Sequence, residues 1–74
     1  MHRMVFSPEK LRRQRELKGM SRTKVAERAY CTNVAYDAWE DGKEVPGEFW
    51  QERLAQALGC QVGDLAKRWR KKDA

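Results

Sequence analysis

Two thiols and one imidazole are the side chains of this sequence best suited to metal or nucleophilic chemistry, and their spacing argues against both. Cys31 and Cys60 stand 29 residues apart with no CxxC, and the single histidine is His2. Three such ligands cannot complete a four-ligand zinc site of Cys and His. The chain carries no glycine-rich phosphate loop, no GxSxG elbow and no carboxylate pair with a histidine partner. These absences predict a non-enzymatic protein without metal or cofactor. Both cysteines read as small hydrophobes of a core.

Charge is the chemistry that remains. Sixteen Lys and Arg oppose 11 Asp and Glu over 74 residues, a net charge of +5 and a pI of about 9.6. A basic excess suits a polyanion: nucleic acid, an anionic membrane or an acidic protein. It is unevenly placed. Residues 1–20 hold six basic and two acidic side chains, and residues 21–31 hold three and one. Residues 32–48 hold one basic side chain, Lys43, against five acidic ones. Residues 67–74 hold five basic and one acidic. Phosphate anchoring is therefore expected from both ends of the chain, with an acidic stretch between them.

Length bounds the elements that position these charges. A domain this small buries roughly 60% of its unfolded surface. That suffices for a helical core but not for a barrel or a doubly wound sheet. No apolar stretch approaches the 18 or so residues of a membrane helix, so no membrane partner is expected. Met1–Phe6 lacks the pattern of a secretory signal, which predicts a reduced, cytoplasmic setting.

Helix starts and stops divide the chain. Ser7 caps a first helix with Pro8 at its first position, and Gly19 ends it. Its apolar side is thin, Leu11 and Leu17. Ser21 caps a second helix of about residues 22–29, with Val25, Ala26 and Ala29 on one face and Met20 as a staple before it. Thr32 caps a third, about residues 33–40, with Ala35, Tyr36 and Trp39 on one face. Lys43–Gly47 is a loop. A fourth helix runs from about Glu48 to Leu58 with Trp50, Leu54, Ala57 and Leu58 as its stripe, and Gly59 stops it. Cys60, Val62 and Leu65 predict a short fifth helix near Val62–Lys67. No segment alternates with period two, so the fold class is all-α. The organisation is an arm over residues 1–6, a five-helix domain over 7–67 and a basic tail over 68–74.

Two short helices joined by a tight turn make a helix-turn-helix by geometry. The residues sharpen this. Leu11, Arg15, Gly19-Met20-Ser21-Arg22 and Val25-Ala26 are followed by Trp39-Glu40-Asp41-Gly42-Lys43 and Pro46, then Leu54-Ala55-Gln56-Ala57-Leu58-Gly59-Cys60 and Leu65. In order and spacing this set, over about three quarters of the chain, resembles the Cro/phage-repressor (XRE-like) helix-turn-helix family of DNA-binding proteins. The resemblance implies a compact lambda-repressor-like five-helix bundle. It also implies a small sequence-specific transcriptional regulator of phage or bacterial repressor type, acting in the cytoplasm or nucleoid.

On that resemblance the third helix enters the major groove of double-stranded DNA, and its base-contact candidates are Thr32, Asn33, Val34, Asp37 and Ala38. Asn33 can bond bidentately to adenine, Asp37 can accept from cytosine N4, and Val34 and Ala38 can touch a thymine methyl. Ser21, Arg22 and Lys43 are the phosphate-contact candidates. Arg15 and Glu40 match a buried structural ion pair of the family. A homodimer, on DNA or through helices 4 and 5 and the tail, would match a two-fold operator, with Phe49 and Trp69 as aromatic candidates for its contact. Trp39 and Trp50 read as core anchors.

This chain departs from the family pattern at three points. Tyr30 stands where the turn usually has glycine. A tyrosine at positive φ is costly, so the turn is expected to differ in length or the second helix to run on. Gln14 replaces a usually apolar residue. The acidic surplus falls on the third helix and its loop, where Asp37 and Asp41 would face phosphates. A competing reading follows: a protein-interaction module or anti-repressor that docks a protein partner through an acidic third helix. A third is nonspecific nucleic-acid or membrane-surface binding through Lys67–Lys72.

Overall fold

A computed structural model describes residues 3–69. His2 and the tail residues Arg70, Lys71, Lys72, Asp73 and Ala74 lie outside them.

The caps organise the chain. Ser7 Oγ accepts from the Lys10 amide at 3.2 Å and opens α1, Pro8–Leu17. Gly19, at φ 66°, closes it, and the Met20 amide donates back to the Arg15 carbonyl. Ser21 Oγ accepts from the Lys24 amide at 3.1 Å and opens α2, Arg22–Ala29. Thr32 Oγ1 does the same for α3, Asn33–Glu40, through the Ala35 amide. The loop after α3 seats the buried Pro46 and leads into α4, Glu48–Leu58, which stops at Gly59.

The core sits where these helices meet. Leu11, Val25, Ala29, Tyr36, Leu54 and Leu65 are each fully buried. Burying a leucine this far contributes about 1.5–3 kcal/mol before entropy is counted. Trp39 anchors the core, and the half-buried Trp50 tilts against it with ring centroids 5.7 Å apart. Leu17, expected inside, is 67% exposed because it falls on the outer side of α1. Cys31 and Cys60 are half-buried at the edge of the core rather than within it.

Among the described residues the fold is mostly helical, with four α-helices and not five, and it is not all-α. Val62–Leu65 makes one 3-10 turn, after which Ala66–Trp69 runs extended as β2. Arg3–Phe6 is the other strand, β1, and pairs with β2 antiparallel, from Arg3 opposite Trp69 to Phe6 opposite Ala66. The expected fifth helix fails for one local and one long-range reason. Gly63 is a poor helix former, and the Ser7 amide takes the Leu65 carbonyl at 2.8 Å, which holds the chain for strand pairing. A lone two-stranded ribbon is marginal. Here Phe6 and Ala66 pin its inner end in the core.

Candidate nucleic-acid interface

The caps of α2 and α3 place the starts of two helices beside one tight turn. That turn is built on Tyr30, which takes the left-handed conformation, φ 60° and ψ 38°. The expectation of a changed turn or a longer second helix is thereby corrected: α2 ends at Ala29, and the tyrosine itself adopts the glycine geometry. Such a conformation costs about 1–2 kcal/mol. Part of it is offset by Arg53. Its guanidinium lies 4.9 Å from the Tyr30 ring centroid, and its Nε donates to the Ala29 carbonyl at 3.3 Å. An α4 side chain thus caps α2 and covers the residue that strains the turn.

Helix periodicity divides α3 in two. Tyr36, Trp39 and Glu40 face inward and are buried. Val34, Asp37, Ala38 and Asp41, at i, i+3, i+4 and i+7, share the outward side. Thr32, Asn33 and Val34 are exposed, Val34 at 81%, whereas Asp37 and Ala38 are half-buried. Ser21 and Lys43 are exposed at the two ends of this surface, and Arg22 is half-buried beside it. A groove of about 360 Å³ runs from the start of α3 to Trp50, lined by Tyr30, Cys31, Thr32, Ala35 and Trp39. Burial pushes both cysteine thiols up from their ordinary value, so neither is an activated thiolate. Among the described residues no group of His, Cys, Asp and Glu could hold a metal.

Behind this surface lies a charge network centred on Glu40, whose side chain is fully buried. Arg15 Nε and Nη2 donate to its carboxylate at 3.0 and 2.8 Å, and Arg15 Nη1 donates to the Met20 carbonyl at 3.0 Å. One guanidinium thus ties α1 to α3 and to Met20, the residue before the Ser21 cap of α2. Arg12 and Arg22 approach the same carboxylate at 3.4 and 3.6 Å. Burial alone would raise the Glu40 pKa. The hydrogen bonds from Arg15 and the nearby cations outweigh it and hold the carboxyl below its usual range. The buried Tyr36 hydroxyl sits beside Glu40 but outside hydrogen-bonding geometry, and burial first, then this carboxylate, push its pKa up.

Arg22 has a further role that the sequence did not indicate. Its Nη1 donates to Asp37 Oδ1 at 3.1 Å and its Nη2 to Asp41 Oδ1 at 3.0 Å. The acidic surplus of α3 is therefore not presented bare, because a single arginine at the first position of α2 spans both carboxylates. These partners are 15 and 19 residues away, a separation at which no helical spacing rule connects them. Only the crossing of α2 on α3 does. At the ribbon, Arg3 lies over the Trp69 ring and Lys67 is 3.9 Å from Glu9, while the basic tail beyond Trp69 lies outside the described residues. Phe49 is 61% exposed and meets Trp50 edge to face.

A family model described as a helix-turn-helix domain matches residues 9–69. No curated protein and no solved structure matches the chain.

Proposed function

The chain belongs to the helix-turn-helix domain family, a membership that implies DNA binding, and from that premise we propose that it is a sequence-specific transcriptional regulator of the repressor type. The observation that supports this best is the outward side of α3. Its first residues, Thr32, Asn33 and Val34, are exposed, as are Ser21 before α2 and Lys43 after α3. In this reading α3 lies in the major groove. Asn33 bonds to adenine, Asp37 accepts from cytosine, Val34 and Ala38 meet thymine methyls, and Thr32 stands at the groove edge. Ser21, Arg22 and Lys43 hold phosphates, with the start of α2 adding its dipole. Two copies on a two-fold operator would place their third helices about one helical turn apart.

Docking of a protein partner through an acidic α3 is the weaker reading, because Asp37 and Asp41 are already paired with Arg22. Across the described residues no helix is long and apolar enough to cross a membrane.

Selection from random duplexes, followed by binding at several salt concentrations, tests the proposal. Asn33→Ala is expected to relax preference at one base position, by about 1–3 kcal/mol of discrimination. Lys43→Ala is expected to weaken all sequences alike and to make the log–log salt slope shallower by about 0.9. Absence of binding at low salt, or identical behaviour of the two variants, refutes it.

A further inference from the structure

Arg22 is the best-placed cation at the start of α2, yet its fork is occupied. Nη1 is held by Asp37, Nη2 by Asp41, and Nε lies 3.6 Å from Glu40. Asp37 on α3 and Asp41 at its C-cap are four residues apart, so their carboxylates present a pair of acceptors matched to one guanidinium. We propose that Asp41, together with Asp37, competes with DNA phosphate for Arg22, and so sets how tightly this domain holds DNA of any sequence. The inference rests on the DNA-binding reading above.

Geometry makes Asp41 the dispensable half of the clasp. It is the residue after the last turn of α3, and its backbone amide, not its carboxylate, closes the helix on the Asp37 carbonyl at 2.8 Å. Its side chain has no other hydrogen-bond partner among the described residues than Arg22. Nothing in the helix needs that carboxylate. Its effect is on Arg22, which must give up an acceptor before it can turn fully to a phosphate. The arrangement lowers backbone affinity, and so makes occupancy depend more heavily on the base contacts of α3.

Both partners are about one-third exposed, so water screens the pair and the expected effect is modest. Removing the competing carboxylate should tighten binding by about 1.5-fold to fivefold. Simple relief of charge repulsion would also tighten binding, but it would do so whether or not Arg22 is present. The two causes separate in a double-mutant cycle of wild type, Asp41→Asn, Arg22→Gln and the double variant. Each is titrated by fluorescence anisotropy against a short duplex of scrambled sequence over a range of salt. Asn keeps the shape of Asp, and Gln keeps the helix start, so all four proteins should melt within a few degrees of one another.

In the presence of Arg22, D41N should tighten binding and steepen the salt slope by up to about 0.9, the share of one phosphate contact. In the R22Q background most of that gain should be lost and the slope unchanged. Equal gains and equal slope changes in the two backgrounds overturn the clasp while leaving DNA binding intact. No binding by any of the four proteins at low salt overturns both.

Discussion

Replacing Glu40 by alanine should be among the most damaging single changes in this domain, although the pair it breaks adds little net stability. The carboxylate is fully buried and takes two hydrogen bonds from Arg15, which is itself 16% exposed. Intact, such a pair roughly balances its Coulomb gain against desolvation. Broken, it leaves the Arg15 guanidinium in a poorly hydrated site with only the Met20 carbonyl for a partner. Stranding a buried charge costs about 3–5 kcal/mol, and the partial exposure of Arg15 puts this case near the lower end. In a domain of this size each kcal/mol moves Tm by about 4–8 °C, so the expected fall is roughly 12 °C or more. Thermal unfolding followed by far-UV circular dichroism measures it. Glu40→Gln keeps the shape and should lose most of the same stability, which separates charge from cavity. The double variant Arg15→Met with Glu40→Leu should recover much of it, since a well-packed apolar pair can replace a buried ion pair. An E40A protein that melts within about 2 °C of wild type would refute the reasoning, because RT-scale effects cannot hide a stranded charge.

Two further outcomes follow from the same structure. The Glu40 carboxyl is held below its ordinary value of 4.5, so folding favours its charged form. Stability from this group is fully present above the unfolded value and is lost as pH falls through the lower folded one. Tm should therefore be nearly level from pH 7 to about 5 and drop below about pH 4.5, with a shallower drop in Glu40→Gln, and a Tm that climbs on acidification would contradict the linkage. At the α2–α3 turn, Tyr30→Gly removes left-handed strain but loses the Arg53 contact, so urea unfolding should show a change smaller than about 1 kcal/mol. Tyr30→Val puts a β-branched residue at positive φ and should cost more than the glycine variant. The opposite order would show that the turn geometry is not what limits this position.

Much of the helical frame is legible in the sequence. Ser7, Ser21 and Thr32 are short polar residues placed just before apolar periodicity, and each one caps a helix in the structure. Gly19 and Gly59 mark the ends of α1 and α4 for an equally local reason, their freedom at positive φ. The Arg15–Glu40 pair came from the family pattern, and the structure joins it. The ribbon did not announce itself. Its strands are four residues each, mostly exposed, and stand at opposite ends of the described chain, so neither carries an alternation to read. Tyr30 misled in a different way. Propensity argues against tyrosine at φ 60°, but Arg53, 23 positions later, supplies what propensity cannot see.

The sequence by itself determined where the four α-helices start and stop and most of their apolar faces, and the family resemblance added Asn33, Val34, Asp37 and Ala38 as the outward residues of α3. The helix ends and faces are consequences of capping chemistry and the 3.6-residue period, which act within a few residues. Only the tertiary structure decided what the charges do. Asp37 and Asp41, which looked repulsive to DNA, are spanned by Arg22 from another helix, and Glu40 is held by Arg12 and Arg15 on a third. Ion pairing depends on the distance between side chains, and distance between helices is set by how their faces pack, not by their separation along the chain.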